Sequence, residues 1–229
     1  MVLFHDDWDW TTADQEFQRA IALAPGLAPS HRWYAIYVAA MGRVSEATKE
    51  AQRAEELDPL SITAHDGAAV VAASAGQYDR CIDEGRKIIE LDPNDLRAYG
   101  NMAVGHLQKR MYQEALQDAE KGLAISHGNP FFLSIAAHIY GLLGNMEQAN
   151  SLVEEMRAAT GQKSPVSPSM LFATAFVGMV KQKEAMEALE RGDRVHDADL
   201  VGLNSTPWVE PLRSDPRFQD LLRRMNFPR

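Results

Sequence analysis

Seven histidines, one cysteine and 32 carboxylates are the groups in this 229-residue chain from which site chemistry would be built. A zinc hydrolase holds its ligands on one helix face, as in an HExxH motif, and a structural zinc needs several thiolates. Neither pattern occurs, and Cys81 alone cannot supply a cysteine-rich cluster. His31 and His65 stand 34 residues apart, which marks equivalent structural places and not two ligands of one ion. His138 falls mid-helix, where it could face a groove. Cys81 occupies a place where related positions hold alanine, so a buried, unreactive thiol is expected. No GxSxG elbow presents a serine and no GxxxxGK[ST] loop cradles phosphate. The Asp and Glu residues fall between apolar positions, as solvated helix faces do. The expectation is a chain without a catalytic, metal or cofactor site.

The elements that position these side chains follow from one repeated stretch. Ile62 to Pro93, ITAHDGAAVVAASAGQYDRCIDEGRKIIELDP, reads as two helices joined by a turn at Gly76-Gln77. Ala68, Ala69 and Ala72 give the first helix a small-residue face. Tyr78, Cys81, Ile82, Ile88, Ile89 and Leu91 give the second an apolar stripe. Asp92-Pro93 stops it, because proline cannot continue a helix and disfavours α geometry in the residue before it. Shifted by 34 residues, the unit matches itself: Ala13, Ala47, Cys81, Ala115 and Ala149 form one ladder, and Ala35, Ala69, Ala103 and Ala137 a second. Pro25, Pro59 and Pro93 form a third at the same 34-residue spacing.

Taken in order, the chain is expected to open with a half-repeat at 1–27, whose missing first helix is reduced to Val2-Leu3-Phe4. Full repeats follow at 28–61, 62–95, 96–129 and 130–163, then a fifth helix pair at 164–196 after the linker GQKSPVSP. An irregular segment and a capping helix opened by Asp215-Pro216-Arg217 occupy 197–229. Ser45 is placed as a helix N-cap, Gly85 at a close helix crossing, and Trp33, Tyr34 and Tyr37 in packing. The half-repeat reads as a stack cut near its middle. Trp8, Trp10 and Phe17 would then be left partly exposed unless residues 1–9 fold back as a cap, the first helix frays, or two chains pair, and pairing as a homodimer through this end is favoured.

The period and its pattern resemble the tetratricopeptide repeat (TPR), whose helix-turn-helix units stack into a superhelix. The fold class implied is an all-α superhelical solenoid of about five helix pairs. The segments DWDWTTADQEFQRAIALAP, HRWYAIYVAAMGR and EPLRSDPRFQDLLRRMNFP further resemble the C-terminal repeat region of large bacterial proteins. In those, the repeats follow an effector domain: a winged-helix regulator, a serine/threonine kinase or an adenylate cyclase. No kinase glycine loop, HRD-type segment or basic recognition helix occurs here, so no effector activity is carried over.

The resemblance implies a non-catalytic scaffold that binds a protein or peptide in the concave groove lined by the first helices. By period it nominates Arg32, Ile36, Asp66, Val70, Arg97, Asn101, Val104, Gln108, Ser134 and His138 as groove residues. Arg97 and Asn101, one turn apart, could hold an acidic group. The Lys/Asn clamp that some relatives use for a C-terminal carboxylate is not expected, because Arg32 and Ile36 stand at its first places. The alternative role is structural, with the stack self-associating or packing on an effector domain. A net charge of -9 argues against a nucleic-acid surface. No apolar run of about 18 residues suggests a membrane span, the opening MVLFHDDWDW is unlike a signal peptide, and one cysteine gives no disulfide framework. A cytoplasmic setting is expected.

Overall fold

The computed structural model describes residues 8–161 and 168–227. Helix α1 spans Trp10–Leu23. Four antiparallel pairs follow: α2 (Ala28–Ala40) with α3 (Val44–Leu57), α4 (Ile62–Ser74) with α5 (Tyr78–Leu91), α6 (Leu96–Gln108) with α7 (Tyr112–Ser126), and α8 (Pro130–Leu142) with α9 (Met146–Thr160). A fifth pair, α10 (Ser169–Gly178) and α11 (Gln182–Arg194), precedes two 3₁₀ turns, Ala198–Gly202 and Pro207–Leu212, and a last helix, α12 (Pro216–Arg224). First helices stack directly on first helices, α2 on α4 and α8 on α10, while each second helix packs on its sequence neighbours. This is the expected all-α solenoid. Most of the GQKSPVSP linker (162–167) and Val2-Leu3-Phe4 lie outside the described residues.

The small-residue ladders are the contacts that hold each pair together. Ala35, Ala69, Ala103, Ala137 and Ala173 are fully buried, and so are Ala47, Cys81, Ala115, Ala149 and Ala185. A side chain no larger than a methyl or thiol lets the paired helices approach closely, and anything bulkier would overpack the crossing. Gly85 follows the same logic. A Cβ there would lie 2.7 Å from Met102 Cγ and 3.0 Å from the Ala98 carbonyl oxygen. The last two first helices approach more closely still: a Cβ on Gly178 would sit 2.3 Å from the His138 carbonyl oxygen.

A polar device repeats with the same phase. His31 Nε2 lies 3.0 Å from the Pro25 carbonyl, His65 Nε2 3.0 Å from that of Pro59, and Tyr99 Oη donates to that of Pro93 at 2.7 Å. Each proline ends a repeat, and the residue six further on ties its free carbonyl to the next first helix. Because a carbonyl only accepts, Nε2 donates in both histidines, while Nδ1 of His31 faces Glu50 Oε2 at 2.6 Å and Nδ1 of His65 faces Glu84 Oε2 at 2.8 Å. Their equivalence was readable in the sequence. Their role was not, although the Pro-to-donor offset of six is constant along the chain.

Two expectations are corrected. Ser45 is not an N-cap: α3 begins at Val44, so Ser45 lies within its first turn, where Glu46 also sits. The 197–212 segment, read as irregular, forms the two 3₁₀ turns, and its Leu200, Leu203, Val209 and Leu212 are all buried. The N-terminal aromatic residues are not an exposed end. Trp8 and Trp10 are buried, and Trp10 Nε1 donates to the Met225 carbonyl at 2.6 Å. Trp10 also stacks on Phe227 with ring centroids 4.9 Å apart, and Asn204 Nδ2 donates to the Ala40 carbonyl at 3.2 Å. The C-terminal segment thus returns across the molecule and covers the end where a first helix would stand. The apolar surface that argued for a homodimer there is largely spent within the chain; Phe17 is half-buried and Ala20 exposed.

Candidate functional site

The first helices present one face built from the nominated residues, and three of them form a continuous polar chain. Arg32 Nη2 donates to Asp66 Oδ2 at 2.7 Å, and Asn101 Nδ2 donates to Asp66 Oδ1 at 3.2 Å. One residue from each of three successive first helices is thereby fixed, with Asp66 and Asn101 buried. Gly67 makes room for it, because a Cβ there would meet Arg32 Cγ at 2.6 Å. The Arg32 guanidinium also lies 4.2 Å from the centroid of the Trp33 ring, and that ring is half exposed. Ile36 and Val70 are half-buried one turn along their helices from Arg32 and Asp66, and Gln108, at the end of α6, is half-buried too.

Other nominated residues are engaged elsewhere. Arg97 is exposed, but its guanidinium is held by Asp95, its own helix cap, at 2.6 and 2.9 Å. Asn101 turns to Asp66, so the two do not converge on one acidic group. Ser134 is buried and its hydroxyl donates to the Phe131 carbonyl at 2.7 Å within α8. His138 is buried with Nδ1 2.7 Å from the Thr174 carbonyl oxygen, which fixes the proton on Nδ1. Burial lowers its pKa below the ordinary 6.5, with the Thr174 bond opposing, so the ring is held neutral. Val104 is buried under Trp208, which also meets the His138 ring edge-on at 6.3 Å. Trp208 was missed in the sequence because a lone tryptophan in an aperiodic stretch carries no phase.

No family model matches the sequence, and no curated protein matches it. Solved structures do. A thermophilic TPR protein of Thermus thermophilus, TTC0263, superposes with a TM-score of 0.61 at 16% identity, covering 86% of this chain and 100% of its own. The chain has the TPR fold. The APC/C hetero-tetramer Cut9–Hcn1 gives a TM-score of 0.64 at 17% identity, over 95% of this chain and 46% of the solved one. Pseudomonas aeruginosa PilF gives 0.57 at 15% identity, over 85% and 88%. At such identities the likeness establishes the fold.

Outside the groove of this TPR solenoid, the densest cluster of ionisable groups is Glu55, His65 and Glu84. Their candidate ligand atoms lie within 4.8 Å of one another, the one such group among the described residues. Two cations already answer the two carboxylates: Arg80 reaches Glu55 at 3.1 Å and Lys87 reaches Glu84 at 2.9 Å. Burial and the neighbouring Glu84 push Glu55 above the usual carboxylate range. For Glu84, burial opposes ionisation, but hydrogen bonds from Lys87 and His65 bring it below that range. A divalent ion would have to displace these cations, so the cluster reads as a structural junction between repeats. Cys81 is fully buried, donates to the Asn101 carbonyl at 3.2 Å, and is pushed up to about 12 by burial and the Asp66 and Glu84 charges. Such a thiol is protonated and shielded, which removes it as a nucleophile.

Proposed function

We propose that the chain is a non-catalytic interaction scaffold that binds a peptide or partner domain along its first-helix face. The observation that carries this reading is the Arg32–Asp66–Asn101 chain, which runs from repeat to repeat beside half-buried Ile36 and Val70. Polar groups fixed before binding lose little entropy when a partner arrives, and adjacent apolar side chains supply burial. One solved structure of similar fold is a hetero-tetramer, which is in keeping with a scaffold role. Among the described residues no helix is long and apolar enough to cross a membrane. The reading extends to a cytoplasmic setting in a bacterial regulatory protein, where an effector domain would be the attached partner.

Affinity for an unoptimised peptide site is expected near micromolar, about -8 kcal/mol. The test is calorimetry with a captured partner on the wild-type chain and on Ile36→Glu and Val70→Glu variants whose circular dichroism is unchanged. A loss of tenfold or more in affinity for both supports the face. Unchanged affinity in both, with the fold intact, refutes it.

A further inference from the structure

The 3₁₀ turn Pro207–Leu212 carries Trp208 onto the first-helix face, against the Ala69, Ala72, Ala73, Cys81 and Val104 cluster. That cluster is separate from the main core, and Trp208 reaches it from the last third of the chain. Two tryptophans thus tie the C-terminal segment back to the solenoid, and they are held very differently. The Trp10 indole is buried, donates to Met225 and stacks on Phe227. Trp208 is half-buried, and among the described residues its indole N–H has no hydrogen-bond partner. Its ring packs on the small-residue cluster and on the margin of the main core, and meets the edge of His138. The turn that carries it is closed on itself, with Arg213 donating to the Asn204 carbonyl and to Glu210, both at 2.5 Å.

We propose that Trp208 is an internal occupant of the groove, standing where a partner's aromatic residue binds, and that the partner presents an indole on a proline turn. This rests on the groove reading above. The neutral His138 edge and the alanine floor accept a flat ring without demanding a charge. A tryptophan in trans fills the same place and keeps its N–H free to bond elsewhere. While Trp208 is in place, it lowers the apparent affinity of such a partner by the fraction of time the site is closed.

The probe is a synthetic peptide of residues 204–212, NSTPWVEPL with blocked ends. Calorimetry compares its binding to the wild-type chain and to Trp208→Ala. Binding about tenfold tighter to the variant is expected, and the peptide with its own tryptophan replaced by alanine should not bind. In parallel, the wild-type chain is labelled with 5-fluorotryptophan, and its Trp208 resonance is assigned from Trp208→Phe. Peptide should move that resonance toward its solvent position while Trp10 stays unchanged. No binding to a folded Trp208→Ala, or a Trp208 resonance unmoved at saturating peptide, overturns the proposal, and the fluorine readout stands if Trp208→Ala fails to fold. Equal binding to both forms that is lost in Ile36→Glu overturns the self-occupancy alone and leaves the groove reading intact.

Discussion

Val180 sits in left-handed backbone, at φ 58°, in the turn between α10 and α11. Gly42, Gly76, Arg110 and Gly144 hold the corresponding turn place in the earlier pairs, all with positive φ. A β-branched residue is the least suited to that conformation, and Val180 buries little, being 74% exposed. Val180→Gly should therefore stabilise the chain by about 1 kcal/mol, read as a raised midpoint in urea. A lowered midpoint would mean the turn is not strained. Two residues earlier the reverse change should do harm. Gly178→Ala drives a methyl into the His138 backbone, which cannot swing aside as a side chain would, so a loss of about 2 kcal/mol or more is expected by the same measurement. His138 itself sets a pH dependence. Its folded pKa lies below the unfolded 6.5, so below that pH the unfolded chain binds more protons. Its contribution is fully present above pH 6.5 and is lost as pH falls. The wild-type melting midpoint should drop more between about pH 7 and 5 than that of His138→Asn, and parallel curves would remove the effect. At this scale the small ladders and the His31–His65 equivalence were legible, because they recur in phase. The direction of Arg97, Ser134 and His138 was not, since a position within a repeat does not say which neighbour a side chain meets.

Helices were legible wherever the 3.6-residue pattern runs uninterrupted to a stop, as in α5, which ends at Leu91 before Asp92-Pro93. The element that escaped was the return of the C-terminal segment. Trp10 and Met225 are 215 residues apart, and a single indole-to-carbonyl bond between such distant residues leaves no local pattern. The two 3₁₀ turns lack the apolar period for the same reason: their buried leucines fill space between elements already formed. Trp10→Ala should cost about 3–5 kcal/mol, as large-to-small changes in a core do. It should also release α1 and α12 in hydrogen exchange while α6 stays protected. Loss of protection confined to α1 would show that the two ends are not coupled through Trp10.

The molecule as a whole is a solenoid whose two ends are bound to each other by its own C-terminal segment. A plain stack of repeats would have open ends and a continuous groove. Here the segment from Ala198 to Phe227 lies along the fifth pair, reaches α1, and sets Trp208 on the first-helix face. The groove that remains is the part around Arg32, Ile36 and Val70. The fold class was readable from the 34-residue period, whereas this closure depends on shape that no period encodes. The most direct test of the binding account is hydrogen exchange on the complex with a captured partner. Added protection should fall on α2, α4 and α6, the first helices. Protection confined to α3, α5 and α7, with the first helices unchanged, would contradict it.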